Sequence, residues 1–424
     1  MYAYRDRRTR LTVESSGAIF QGFPSTLPRT NTAPPHRVLR PIAMRHHCSA
    51  SLPLLLAALL LFPPIAAAEI YDRGVDPPYG AGLLLESETG TVLYEHNART
   101  PRSPASTQKL LLQLVVMDLV AAGKASLTDE VTTSAWASRI GGAQVYLRQG
   151  EVFPLEHLMQ AIAISSANDA CVAVAEHIGG SVDGFVSMMN AKARGLGLET
   201  TRCVNVHGLD DTPMNNRNLT TAFDLSVIAR ALMRHDKTLE WSSTRIHPFR
   251  GGKFTLYTTN KLLGKFSGLD GLKTGYTNRA RFCLVATARR GDMRLLSVIM
   301  GAPRESVREA ETRRLLSWGF NNFSRVPLAE AGEQVGRIVL DWGLEPEVTV
   351  EVADTFTAIL TPLQKRQLHR QLLIPTEHPA PVEAGEELGR MQVSLGDSVL
   401  AMVDLVAGKS VGRMGFWDML MSYF

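Results

Sequence analysis

The sequence predicts an α+β fold, in which an antiparallel sheet with a helical cluster is followed by a small all-β unit and a C-terminal amphipathic segment. Three observations point there. β-rich runs near residue 82 and again after residue 271 bracket a stretch of helical segments, so the two ends of this part can complete one antiparallel sheet. Past Arg325 the helices give way to short strands separated by Gly, Pro, Asp and Glu turns. At the end of the chain, Phe416, Met419, Leu420, Tyr423 and Phe424 fall at helical i, i+3, i+4 spacing. A chain of 424 residues is about two ordinary domains, with ample length to bury a core.

In order along the chain, the first feature is an address. Residues 1–43, rich in Arg, Pro, Ser and Thr without a sustained period, read as a disordered or mis-assigned extension ahead of a natural start at Met44. Residues 44–68 have the three-part layout of a secretory signal: Arg45, His46 and His47, an apolar run over 52–62 too short to span a bilayer, and Ala66-Ala67-Ala68 at a cleavage site. Residues 82–86 and 91–94 form a hairpin about Glu88-Thr89-Gly90. Residues 104–122 open with Pro104 and close at Gly123-Lys124. Their apolar residues, Leu110, Leu111, Leu114, Val115, Leu119 and Val120, cover more than one face, as in a central helix. Pro154 opens a helix over 154–163, Asp169 caps another over 169–178, and a further one runs over about 182–194. Residues 271–277, 281–288 and 294–300 read as strands, the last two joined at Gly291-Asp292, with a helix at 304–318 next. In the tail, 336–340, 348–352, 356–360 and 399–403 are the strand candidates.

Composition excludes several classes. With 45% hydrophobic and 7% aromatic residues, the chain is neither mainly disordered nor collagen-like. The formal charge is +4, yet residues 1–68 hold eight Arg against Asp6 and Glu14, which leaves −2 for residues 69–424. The basic balance therefore belongs to the leader and gives no reason to expect nucleic acid as a partner. Cys48 lies in the leader, and Cys171, Cys203 and Cys283 allow one pair at most, too few for a disulfide framework even in an oxidising compartment.

Three short constellations carry chemistry. In Ser106-Thr107-Gln108-Lys109, a spacing of three on a helix brings the lysine amine within reach of the serine hydroxyl. Serine needs such a base, and lysine serves as one only when desolvation or another cation lowers its pKa. A buried helix supplies the desolvation, and a position in the first turn favours negative charge at the serine oxygen. Ser166-Ala167-Asn168 is the second constellation, just ahead of Asp169. The third is Lys273-Thr274-Gly275, where a lysine beside a hydroxyl makes a compact carboxylate site and the glycine lets a ligand backbone come close.

In this order the three triplets resemble the defining set of the penicillin-interacting serine acyltransferases, the penicillin-binding proteins and class A β-lactamases. Pro104-Ala105-Ser106, SANDA at 166–170, Val206-His207-Gly208-Leu209-Asp210, 271–277 and 315–320 look like the low-molecular-mass D-alanyl-D-alanine carboxypeptidases, over roughly residues 75 to 325. The resemblance implies a penicillin-binding/β-lactamase-like domain over 69–325, a β-rich domain over 326–409 and a membrane-surface segment over 410–424. It implies Ser106 as nucleophile, Lys109 as base and Ser166 as proton relay. Asn168, Lys273, Thr274 and Gly275 would bind a peptidoglycan pentapeptide ending in D-Ala-D-Ala, and the backbone N–H groups of Ser106 and Tyr276 would form the oxyanion hole. β-Lactams would acylate the same serine, no metal or other cofactor is expected, and the enzyme would sit at the outer face of the cytoplasmic membrane. A DD-endopeptidase, a class A β-lactamase and a catalytically silent wall-binding protein are the alternatives. Residues 207–222 show no Glu-x-x-x-Asn pattern of the kind a class A β-lactamase uses. Two positions depart from the family: Tyr276 stands where some members have His, and Arg281 where Gly is common. His207 is expected to hold a loop near the site, and Arg308 is either an ion-pair partner or a substrate contact.

Overall fold

The computed structural model describes residues 76–415. The expected leader and the amphipathic run at 416–424 lie outside the described residues. In chain order the first part comprises β1 (Ala81–Glu86), β2 (Val92–His96), a 3-10 turn (Ala105–Gln108), α1 (Lys109–Ala121), β3 (Glu130–Thr132), β4 (Val152–Pro154), α2 (Leu155–Ser165), α3 (Asn168–Gly179) and α4 (Val182–Gly195). It continues with α5 (Ala222–Leu232), α6 (Asp236–Ser243), β5 (Ile246–Phe249), β6 (Phe254–Tyr257), β7 (Leu269–Thr277), β8 (Arg281–Arg290), β9 (Met293–Ala302) and α7 (Glu305–Asn322).

The main sheet has the order β2-β1-β9-β8-β7, with every pairing antiparallel. The hairpin near the start thus joins the three later strands, as the sequence pattern implies. Successive side chains of a strand point to opposite faces. In β9, Leu296, Val298 and Met300 enter a core shared with α1 to α5, while Leu295 and Ile299 join Leu315 and Leu316 of α7. Cover on both faces accounts for the nearly continuous apolar runs of β8 and β9. Helix α1 is buried at every residue from Lys109 to Met117, which is what an apolar surface nearly all round requires.

Two local expectations are corrected. The segment holding Ser106 is a 3-10 turn, and α1 begins only at Lys109. Asp169 is not the cap of α3. Ala167 holds that position, and the Asp169 carboxylate, in the first turn, instead accepts from the backbone N–H groups of Val145 and Leu147. Among the described residues the three cysteines, Cys171, Cys203 and Cys283, are buried and unpaired.

The second part contains β10 (Ser324–Ala329), β11 (Gln334–Asp341), β12 (Glu347–Val352), β13 (Phe356–Leu360), α8 (Pro362–Arg366), β14 (Leu368–Leu373), β15 (Glu377–Pro379), β16 (Glu387–Leu395) and β17 (Ser398–Ala407). β10 pairs with β13, and the other strands form a six-stranded sheet in the order β14-β16-β17-β12-β11-β15. Their inward residues, among them Val348, Val350, Val393 and Leu405, form a separate core. The seam expected at 325/326 falls inside β10, so the change from helix to strand comes at the end of α7. Ile359 packs into the core beneath α7, and Arg325 pairs with Glu88. No helix among the described residues is long and apolar enough to cross a membrane.

Candidate active site

Lys109 is the hub of the site. Its side chain is wholly buried, and its Nζ lies 2.9 Å from Ser106 Oγ. Two more partners come from the segment joining α2 and α3: Ser166 contributes its carbonyl at 2.8 Å and its Oγ at 3.1 Å, and Asn168 its Oδ1 at 2.6 Å. Ser166 presents both oxygens because it ends α2 in the left-handed region, with φ +63°. A non-glycine residue there is uncommon and carries a conformational cost. Ala105, just before Ser106, is also left-handed, with φ +48°.

Asn168 spans two jobs. While Oδ1 faces Lys109, its Nδ2 donates to Gly141 O at 2.7 Å and its backbone N–H to Ala143 O at 2.7 Å. With Asp169 gripping Val145 and Leu147, the first turn of α3 therefore pins the loop 141–147 beside the lysine. A Cβ on Gly142 would come within 2.6 Å of Asn168 Nδ2, so only glycine leaves room for that amide.

The third constellation arrives on β7, an edge strand of the sheet. A Cβ on Gly275 would lie 3.0 Å from the backbone nitrogens of both Ser106 and Thr107, so the missing side chain allows β7 to approach the nucleophile turn. Lys273 is 1% exposed, and its Nζ donates to Thr274 O at 3.1 Å. The Thr274 hydroxyl donates to Thr259 Oγ1 at 2.6 Å. Tyr276 turns its ring outward over Phe282, with centroids 4.3 Å apart, and its hydroxyl donates to Asn278.

Burial dominates the electrostatics. It lowers the Lys109 pKa to about 8, against smaller raising effects of the Cys171 and Asp169 charges. Lys273 is held well below the usual lysine range, first by burial and then by the charge on Lys109. Among the described residues Lys273 makes no salt bridge, and the hydrogen bond of its amine goes to a neutral carbonyl, Thr274 O. Such a group favours an anionic ligand. Among the described residues no group of three or more His, Cys, Asp or Glu is placed to hold a metal ion.

The flanking residues resolve into supports. His207 is buried, accepts from the Leu209 N–H at Nδ1, and has its Nε2 3.7 Å from Asp211; burial pushes its pKa down to about 4. A Cβ on the next residue, Gly208, would come within 2.0 Å of Ala105 O, so this loop braces the nucleophile turn from below. Arg308 is buried and paired with Glu305 and Glu309. Arg281, the first residue of β8, has φ +59°, the backbone state that glycine adopts freely.

Sequence reasoning did not single out the 141–147 loop or Thr259. Gly141-Gly142 and Thr258-Thr259-Asn260 are the local signals, and each also reads as an ordinary turn.

Residues 79–304 match the family model described as D-alanyl-D-alanine carboxypeptidase, more than half of the chain. The chain belongs to this family. Residues 323–413 match the C-terminal domain of penicillin-binding protein 5, which places the second β-rich part in the same lineage. This D-alanyl-D-alanine carboxypeptidase family member is 32% identical over 382 residues to the D-alanyl-D-alanine carboxypeptidase DacC of Escherichia coli (strain K12), covering 87% of this chain and 94% of that protein. It is also 32% identical over 341 residues to DacF of Bacillus subtilis (strain 168), with 79% and 86% covered. Among solved structures, penicillin-binding protein 5 from Haemophilus influenzae aligns with a TM-score of 0.68 at 28% identity, over 80% of this chain and 99% of that one. Penicillin-binding protein D2 from Listeria monocytogenes, solved in its ampicillin-bound form, aligns with a TM-score of 0.54 at 30% identity, over 59% of this chain and all of that one.

Proposed function

We propose that the protein is a serine-type D-alanyl-D-alanine carboxypeptidase that removes the last D-Ala from peptidoglycan stem peptides, and that β-lactams acylate it at the same serine. One observation carries this reading: a buried lysine with a pKa near 8 lies 2.9 Å from a serine hydroxyl. Ser106 Oγ attacks the carbonyl of the penultimate D-Ala as its proton passes to Lys109. The oxyanion is held by the backbone N–H groups of Ser106 and Tyr276, a contribution commonly worth about 3 kcal/mol per donor. The C–N bond then breaks, Ser166 relays the proton to the leaving amine, and D-Ala departs. Water hydrolyses the acyl-enzyme. Asn168 has one N–H left for the substrate amide after its bond to Gly141. Gly275 keeps the β7 backbone close to the scissile bond.

Lys273 and Thr274 take the terminal carboxylate, and this restricts cleavage to chain ends. The C-terminal β-rich domain, matched to that of penicillin-binding protein 5, favours a carboxypeptidase over an endopeptidase. The hydrogen bonds of Ser106, Lys109 and Ser166 among the described residues include no carboxylate, unlike the arrangement a β-lactamase needs for fast deacylation. We further propose export through residues 44–68 and attachment to the outer face of the cytoplasmic membrane through the C-terminal segment.

The test is intact-protein mass after incubation with penicillin, together with D-Ala release from diacetyl-Lys-D-Ala-D-Ala. The wild type is expected to gain one drug mass and to release D-Ala, and Ser106→Ala to do neither. Labelling that survives the substitution would move the nucleophile elsewhere, and rapid nitrocefin turnover would favour the lactamase.

A further inference from the structure

We propose that Thr259 is a positioning residue of the carboxylate pocket, a second hydroxyl that acts through Thr274 and sets the enzyme's demand for a free terminal carboxylate. This rests on the assignment of Lys273 and Thr274 to that carboxylate. The segment carrying Thr259 is stapled between the second and third constellations. On one side, Ser165 Oγ bonds to both N and O of Tyr257, and the Thr259 N–H donates to Ile164 O at 3.2 Å, just ahead of Ser166. On the other side, Asn260 Nδ2 donates to Gly271 O at 3.4 Å and Thr274 Oγ1 donates to Thr259 Oγ1 at 2.6 Å. Thr259 is thus held by its backbone to the end of α2 and by its side chain to β7.

The hydroxyl pair has one proton to spare. Thr274 gives its proton to Thr259, and the Thr259 O–H has no acceptor among the described residues. When a carboxylate sits on Lys273, Thr274 donates to the anion while Thr259 donates to Thr274. The chain of two hydroxyls then ends on a negative charge, and each bond polarises the next. Without the Thr259 hydroxyl, Thr274 would lose the neighbour that orients its proton. The effect concerns the carboxylate only. Once D-Ala has left, the acyl-enzyme carries no terminal carboxylate, and Thr259 has nothing to act on.

The experiment compares diacetyl-Lys-D-Ala-D-Ala with the same peptide bearing a C-terminal amide, in wild type, Thr259→Val, Thr259→Ala and Thr259→Ser, with melting temperatures measured alongside. Wild type is expected to favour the free acid in kcat/KM. Thr259→Val and Thr259→Ala are expected to lower kcat/KM for the acid about tenfold, the size of one charge-assisted hydrogen bond, with the amide unchanged. Thr259→Ser is expected to keep the wild-type ratio. Equal losses on both peptides, or an unchanged acid-to-amide ratio in the folded hydroxyl-free variants, would overturn the proposal and leave Thr259 a structural clip. A ratio that collapses in Thr259→Ser would overturn it as well. A wild type indifferent to amidation would instead bring down the carboxylate assignment of Lys273 and Thr274, and this proposal with it.

Discussion

Lys109 and Lys273 are both buried lysines, yet the chemistry asks opposite charge states of them. The base must be neutral to take the serine proton, and burial lowers its pKa to about 8. The second-order rate of acylation by penicillin is therefore expected to rise with pH through about 8 and to level off above it. A rate flat across that range, followed by intact-protein mass, would remove Lys109 as base. Lys273 has to be charged to hold a carboxylate, and with its pKa held down it gives up that charge as pH rises, so KM for the acid peptide climbs on the alkaline side. At this scale the three triplets were legible because acyl transfer restricts residue type at short spacing. Thr259 and Gly141 were not, because their contribution is a backbone or hydroxyl position brought in from elsewhere in the fold, and no local pattern encodes that.

Among the elements, those with strong periodicity or clear punctuation were legible: the opening hairpin, α1, α4 and the β8–β9 pair. Helix α5 escaped notice although Thr221 caps it by accepting from the Asp224 N–H, a signal only one residue wide. Helix α6 is short and two of its three buried residues, Thr238 and Ser242, are polar, while β14 is exposed along nearly its whole length, so neither shows an apolar stripe to read. The cap of α3 was misread because an Asp at a helix start serves equally well as an anchor for a passing loop. The start of β8 offers a direct test at this scale. Arg281 is exposed and sits at φ +59°, where a Cβ costs energy. Arg281→Gly is expected to raise stability by about 1 kcal/mol, less the entropy glycine brings to the unfolded chain. A melting temperature that stays put or falls would show that the start of β8 is not strained.

For the molecule as a whole, the described chain ends in a paired segment. The Val411 N–H donates to Val382 O, the Leu344 N–H to Gly412 O, and the Met414 N–H to Trp342 O, so residues up to 414 belong to the β-rich part. Any separable anchor begins after that. Removing residues 416–424 is expected to release the protein from the membrane fraction with penicillin labelling intact, and continued sedimentation with membranes would refute the anchor. The sheet order has a further consequence, for the timing of folding. β9 lies at the centre of the catalytic sheet, yet its partner β1 precedes it by about two hundred residues. A pairing so distant in sequence is slow to find and cannot begin until nearly the whole catalytic part has emerged. Under the export proposed above, a chain that crosses a membrane as an unfolded thread would gain from this arrangement, since the strand that locks the main sheet is delivered last of its five strands.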